Sequence, residues 1–219
     1  MNQKIVRDIY IFFLISGLLF SFLFVFFNGR ALYRRFMYDI GYRRHKFISV
    51  AFPLPLESGL PLGRSVQIQL PKDINFSDNT LIIPKIDLAA PVVFSQSIEN
   101  SVLLKDLEKG VIWYPSSIPP PTPGNIFILG HSSALPWYRG KYGSVFALLD
   151  KLNMGDQIII LYHRKPFLYK VTEVTKKPPS NFSFSNSSER SHLFLISCWP
   201  IGTNRQRIVV EALLVGYQE

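Results

Sequence analysis

Residues 193–210 read LFLISCWPIGTNRQRIVV and contain the only cysteine of the chain, Cys198. An apolar run of strand-forming residues leads into this cysteine, and Pro200 and Gly202 follow it closely. Because proline and glycine interrupt strands, the pattern predicts a strand that ends near the cysteine, a short loop, and a second strand beyond it. The single thiol is therefore expected where a loop begins, a usual place for reactive groups.

The rest of the chain from Leu81 onward repeats this pattern of short apolar runs bounded by Pro, Gly, Asn and Asp. Such runs of β-branched and aromatic residues are typical of strands. Several runs are apolar at nearly every position, which indicates burial on both faces in a closed or partly closed barrel. We therefore predict a mainly β fold. The predicted strands lie near residues 80–84, 90–94, 125–130, 156–163, 167–175, 192–198 and 206–215.

Two short helices are predicted between these strands. Asn100 or Ser101 is expected to cap the helix SVLLKDLEK, which Gly110 ends. Ser144 is expected to cap a second helix, VFALLDKLNM, which Gly155 ends.

Residues 9–27, IYIFFLISGLLFSFLFVFF, form an uncharged apolar run of 19 residues. As a helix this run is roughly 28 Å long, close to the thickness of a bilayer core. A cleavable signal peptide is the alternative, but it has a shorter apolar region followed by small residues. Here FNGRALYRR follows the run, so we predict a retained transmembrane anchor over residues 9–28 after a cytoplasmic tail of residues 1–8.

The anchor is followed by a basic juxtamembrane segment and a linker over residues 29–74. The linker contains FPLPLESGLPLG at 52–63, which has no helical or strand period. We expect the folded domain to cover residues 75–219, a length sufficient for one hydrophobic core.

The net charge of +9 is concentrated near the anchor, since residues 1–50 contain eight Lys/Arg and two Asp. Basic residues beside an apolar run typically contact anionic lipid headgroups, so we expect a membrane partner and no nucleic acid. By the positive-inside rule the charges after the run favour a cytoplasmic C-terminal side. This orientation conflicts with an exported domain, the location that the remaining sequence features favour.

One unpaired cysteine in an exported domain indicates either a reactive thiol or a small buried hydrophobe. A catalytic Cys198 needs a histidine or a cation nearby, because only the thiolate is nucleophilic. His45 and His163 are predicted surface residues, and His192 begins the cysteine's own strand, roughly 20 Å away. His131 follows the apolar run GNIFILG at a predicted strand end, so it is the best candidate base.

An arginine could complete the site, since its planar cation can bind a substrate carbonyl or an oxyanion. Arg205 and Arg207 have the same strand parity. Spacing alone therefore does not separate them.

Four blocks of this sequence resemble the sortases, the cysteine transpeptidases of bacterial cell surfaces. The resemblance covers roughly residues 80–215. The blocks, in order, are LIIPKIDLAAPVV, LEKGVIWYP…TPGNIFILGHSS, SVFALLDKLNMGDQIII and LFLISCWPIGTNRQRIVV.

The resemblance implies a sortase-type β-barrel of about eight strands with short helices. It also implies Cys198 as nucleophile, His131 as general acid and base, and Arg207 as the cation that orients the substrate or stabilises the transition state, with Arg205 as the fallback. The short WPIGTN connection is similar to class E, or to classes D and F.

The sequence departs from the family signature T-L-x-T-C at two positions, where Phe194 and Ser197 replace the threonines. Ser197 keeps a hydroxyl beside the nucleophile. We expect Ser197, Trp199 and Arg205 to contribute to substrate binding.

The function that the resemblance implies is cleavage of an LPxTG- or LAxTG-like C-terminal sorting motif of surface proteins. The acyl group would pass to an amine of a peptidoglycan precursor or of a pilin lysine, outside the cytoplasm. A hydrolytic cysteine peptidase and a non-catalytic anchored β-domain are the alternatives. An L,D-transpeptidase is excluded, because Ile196 occupies the position of the histidine in its S-H-G-C motif.

No cofactor is expected. Glu99, Asp106 and Glu108 could bind calcium, as in some sortases, but they also fit an ordinary exposed helix, which we favour.

Overall fold

The short apolar runs form a β-barrel in the computed structural model, which describes residues 3–41, 78–134, 138, 140–181, 184–185 and 188–218. The strands are β1 (Thr80–Ile83), β2 (Leu88–Phe94), β3 (Val111–Trp113), β4 (Gly124–Leu129), β5 (Gln157–Tyr162), β6 (Lys165–Lys177), β7 (Ser191–Trp199) and β8 (Gln206–Tyr217). Among the described residues, these strands form a closed barrel in the order β1-β2-β3-β4-β7-β8-β6-β5. The predicted closed barrel of about eight strands is confirmed.

Strands β4, β7 and β8 are neighbours in the barrel and carry the residues of interest. Strand β4 pairs with β7 in parallel, and β7 pairs with β8 antiparallel. Because parallel strands end at the same rim, the residue after β4 and the last residues of β7 come together. The chain enters β8 at that same rim.

The barrel interior is filled by alternate residues of each strand, among them Ile128, Leu195 and Val210, which are fully buried. The outer face of β4, β7 and β8 also carries a buried cluster of Phe127, Ile196 and Val209. These strands are therefore apolar on both faces, as their sequences predict.

The helices differ in part from the sequence prediction. Helix α2 (Asn100–Leu107) forms where expected, although its N-cap is Glu99, whose side chain makes no capping hydrogen bond. The second predicted helix is wrong: its region contains turns and a 3-10 helix over Leu149–Lys151. There the backbone amides donate to oxygens three residues back instead of four, as Ala147 does to Ser144 at 3.2 Å, which is the pattern of turns and 3-10 helices.

A single helix, α1 (Gln3–Asp39), contains the apolar run of residues 9–27 and continues beyond it. It is long and apolar enough to cross a membrane. Its last part packs on the barrel, where Ala31 is buried with Ala147 and Ile201. The linker at 52–63, the expected domain start at Asn75 and His45 lie outside the described residues.

Candidate active site

The register of β4 and β7 places His131 beside Cys198. The last paired residues are Leu129 and Ile196, and the Gly130 amide then donates to the Ile196 oxygen at 3.1 Å. Continuing this parallel register by two residues aligns His131 with Cys198. Adjacent strands lie about 4.8 Å apart, so the two residues occupy neighbouring backbone positions at the rim.

The register of β7 and β8 places Arg207 directly opposite Cys198. Directly opposed residues of an antiparallel pair share one face, with Cβ atoms about 4.5–5.5 Å apart. Arg205 precedes β8 in the connecting loop and is exposed. The structure thus distinguishes Arg207, which lies opposite Cys198, from Arg205, which lies in the loop. Their spacing in the sequence could not make this distinction.

All three side chains belong to the outer face of the barrel. Leu195 and Val210 fill the interior, so strand alternation places Cys198 and Arg207 on the opposite face. The guanidinium of Arg207 donates through Nη1 to two backbone oxygens of its own loop, each at 3.1 Å. These bonds hold the cation at the rim while other N–H groups remain available. We name His131, Cys198 and Arg207, the candidate catalytic residues, the catalytic row.

His131 is half-buried against Tyr138, whose ring meets the imidazole edge-on at a centroid distance of 5.1 Å. Burial lowers the pKa of His131 from its ordinary value of 6.5. The Nε2 atom is buried and has no hydrogen-bond partner among the described residues. At neutral pH the imidazole is therefore uncharged and able to accept a proton.

This pKa shift predicts a pH dependence of stability. The pKa of His131 is lower in the folded chain than in the unfolded chain, so below about pH 6.5 the unfolded chain binds more protons. Above that pH the imidazole is neutral in both chains and the fold keeps its full stability. As the pH falls towards the pKa of His131 in the folded chain, the free energy of unfolding decreases. Between about pH 7.5 and pH 5.5 we expect the melting temperature of the wild type to fall more than that of His131→Gln, measured by tryptophan fluorescence. Parallel curves would contradict the buried neutral imidazole.

Ser197 joins the ends of β4 and β7 from inside the barrel. Its side chain is 3% exposed, and Oγ donates to the backbone oxygen of Gly130 at 2.7 Å. Gly130 immediately precedes His131, so this bond fixes the histidine's strand end relative to Cys198. Ser197 thus ties the two strand ends together and leaves almost none of its surface exposed.

Replacing Ser197 with alanine is expected to lower the free energy of unfolding by about 1–2 kcal/mol, because a buried carbonyl oxygen loses its donor. Ser197→Thr retains the hydroxyl and should retain most of the stability. The control is Ser101→Ala, since that serine is exposed on α2. Chemical unfolding of each variant measures the difference, and equal losses at both serines would contradict the role of this bond.

Trp199 is half-buried, and two cations lie near its ring. Lys176 Nζ is 4.4 Å from the ring centroid and the Arg35 guanidinium is 5.7 Å from it. Phe194 stacks on Phe127 on the outer face, with centroids 5.4 Å apart. Phe194 replaces a threonine of the sortase signature. Its ring therefore extends the apolar outer surface of the strand that carries Cys198.

Sequence reasoning missed two residues of the site. Tyr138 packs on His131, and its hydroxyl donates to the Leu107 oxygen at 2.5 Å, while burial raises its pKa to about 12. Gly130 is required because a Cβ atom there would lie 2.5 Å from the Phe146 ring. The glycine directly before the histidine was the available sequence signal; the sequence suggested Tyr138 only as one of several aromatic residues that could line a groove or pack in the core.

The other histidines and the acidic residues lie elsewhere. His192 Nδ1 pairs with Glu211 Oε1 at 2.8 Å, and His163 is exposed. Asp106 pairs with Lys109 at 3.1 Å. In the part of the chain that the structure describes, no three His, Cys, Asp or Glu side chains are grouped closely enough to bind a metal.

The fold and the site define a class of protein: a closed β-barrel with a thiol, an imidazole and a guanidinium side by side on three neighbouring strands. The family model of the sortase domain matches residues 81–215, more than half of the chain. The chain belongs to the sortase family, which confirms the resemblance seen in the four sequence blocks.

Known sortases share the sequence and the fold. The chain is 25% identical to sortase SrtE1 of Streptomyces coelicolor over 62% of this chain and 39% of that relative. It is 28% identical to sortase D of Bacillus subtilis over 59% of this chain and 60% of that relative. The alignments thus span well under two thirds of these curated relatives' lengths. Sortase C1 of GBS pilus island 1 superposes with a TM-score of 0.53 at 22% identity, over 64% of this chain and 65% of that one.

Proposed function

We propose that this chain is a membrane-anchored cysteine transpeptidase in which Cys198 is the nucleophile, His131 the general acid and base, and Arg207 the oxyanion-binding cation. The observation that carries the proposal is the register that aligns these residues across β4, β7 and β8. The domain division that goes with it is an anchor over residues 9–28 and a catalytic domain over residues 75–219.

In the first half of the reaction, the neutral imidazole of His131 accepts the Cys198 proton and the sulfur attacks a peptide carbonyl carbon. The resulting oxyanion is stabilised by Arg207, a contribution of about 3–4 kcal/mol for donors of this kind. The C–N bond then breaks as His131 gives its proton to the leaving amine. Because burial lowers the pKa of His131, its imidazolium releases that proton readily.

In the second half, an amine attacks the thioester carbon, loses a proton to His131 and forms a new amide as the C–S bond breaks. The proposed donors are surface proteins with an LPxTG- or LAxTG-like sorting motif. The proposed acceptors are peptidoglycan precursors or pilin lysines. No metal or organic cofactor takes part in these steps.

The proposed location is the cell membrane, with the barrel outside the cytoplasm. Basic residues after the apolar run would by count favour the opposite orientation. Two of them have a structural role, since Arg34 donates to the Ser144 oxygen at 2.7 Å and Arg35 binds Asp150. Packing against the barrel thus accounts for these charges independently of membrane orientation.

The test is incubation of the full chain in detergent micelles with LPxTG and LAxTG peptides and triglycine as the amine. Mass spectrometry should detect a thioester on Cys198 and a new amide that contains triglycine. Release of the free acid alone would contradict the transferase and leave a hydrolytic peptidase. Absence of both the thioester and any product would contradict a sorting-motif enzyme.

A further inference from the structure

The end of helix α1 contacts both loops that adjoin the catalytic row. One is the His loop, the described residues of 130–148, which follows β4. The other is the Cys–Arg loop, residues 199–206, which joins β7 to β8. Both loops meet the helix where it continues past the apolar run of residues 9–27. The helix is thus a wall of the active-site region as well as an anchor.

Asn28 is the first residue after the apolar run and is only 7% exposed. Its Oδ1 accepts a hydrogen bond from Ser133 Oγ at 2.7 Å. Its Nδ2 donates to the backbone oxygen of Phe24 at 3.1 Å in the same helix, which fixes the orientation of the amide. Ser133 is two residues from His131, so a polar residue of the membrane helix holds the His loop.

The same amide lies against the Cys–Arg loop. Gly202 has a φ of +79°, and a Cβ atom built on it would be 2.5 Å from Asn28 Oδ1. One turn along the helix, Ala31 is buried together with Ala147 of the His loop and Ile201 of the Cys–Arg loop. The Asn28 side chain therefore contacts both loops at once.

The rest of the helix end is fixed on the barrel by charged contacts. Arg35 donates to both carboxylate oxygens of Asp150, at 2.6 and 2.7 Å. Arg34 donates to the backbone oxygen of Ser144 at 2.7 Å. With the helix held at these points, Asn28 has a defined position relative to the two loops.

We propose that Asn28 is a positioning residue that holds the His loop against the Cys–Arg loop, beyond the strand ends that Ser197 joins, and so orients His131 towards Cys198. It acts by bonding the His loop through Ser133 while it packs on the Cys–Arg loop at Gly202. The inference rests on the proposed function of the catalytic row. Its consequence is that the membrane helix determines how strongly His131 and Arg207 activate the Cys198 thiol.

The test measures the rate at which iodoacetamide alkylates Cys198, as a function of pH, in the full chain in detergent micelles. Cys198 is the only cysteine, so the rate reports its thiolate alone. At neutral pH we expect Asn28→Ala to react about fivefold more slowly than the wild type, since the thiol loses part of its activation. At about pH 10 the two rates should converge, because an ordinary thiol needs no help from a base there.

Three further variants complete the design. Ser133→Ala removes the same hydrogen bond and should produce a similar shift, and the double variant should add little to it. Tyr33→Ala is the matched control, because Tyr33 is on the same helix and 63% exposed; its profile should equal that of the wild type. His131→Ala gives the profile of a thiol without its base. Thermal melting confirms that each variant is folded, and Ser133→Ala provides the test if Asn28→Ala is not.

The outcomes separate this inference from the proposed function. If the wild type and His131→Ala have the same profile, the catalytic row itself is wrong. If these two differ while folded Asn28→Ala or Ser133→Ala matches the wild type, the positioning role of Asn28 is overturned. A rate difference that persists at about pH 10 would indicate altered access to the thiol and would also overturn it.

Discussion

Replacement of Cys198 with alanine is expected to abolish the thioester and to reduce amide formation by at least about 10⁴-fold, to the uncatalysed background. The physical reason is that no other side chain of the row can form the acyl intermediate. The substitution removes one sulfur atom at a half-buried position at the barrel rim, so the melting temperature should change little. Mass spectrometry of intact protein and product measures both effects.

Cys198→Ser is the informative companion variant. The hydroxyl occupies the same position, but its proton is removed far less readily than that of a thiol, so turnover should remain near background. Because the chain contains one cysteine, a thiol reagent that labels the wild type should label neither variant. Amide product from folded Cys198→Ala would refute the assignment of the nucleophile.

Replacement of Arg207 with alanine should lower kcat by about 10²–10³-fold, the usual effect of losing one oxyanion donor. Arg207→Lys should recover only part of the rate, since an ammonium lacks the planar guanidinium fork. Cys198 should still react with iodoacetamide in both variants, which distinguishes loss of oxyanion binding from loss of the nucleophile. Steady-state kinetics with the LPxTG peptide measures the change in kcat.

Arg205→Ala is the matched control for this prediction. Arg205 lies two residues away in the same connection, but it is exposed and outside the ladder between β7 and β8. Its loss should change kcat by less than about twofold, as for most surface substitutions. A larger effect at Arg205 than at Arg207 would reverse the assignment that the register supports.

Much of the barrel could be predicted from sequence, because its strands are apolar and are separated by proline, glycine, asparagine and aspartate, which interrupt strands. The cysteine and the histidine could be found because each follows such a strand. The choice between Arg205 and Arg207 could not be made from spacing, because both have the same parity. It needed the pairing of Cys198 with Arg207 across the ladder, which is a tertiary property.

The packing of the helix end was not visible in the sequence. Its contact residues form no apolar stripe: Asn28 falls at the end of the predicted anchor, and Ala31 and Arg35 in the basic juxtamembrane segment. The second predicted helix failed for a different reason: the amides of Ala147 and Leu149 bond residues three positions back, so the segment forms turns and a 3-10 helix. At the helix end, long-range contacts with the barrel loops outweighed the local pattern.

The unbroken course of α1 from the apolar run into its contacts with the barrel limits where the reaction can occur. When residues 9–27 occupy a bilayer, Asn28 lies within about one helical turn, or 5 Å, of the hydrocarbon edge. The catalytic row is then held at a fixed height over the lipid instead of moving on a tether. Substrates confined to that thin layer meet the enzyme in two dimensions, which raises their effective concentration relative to substrates free in solution.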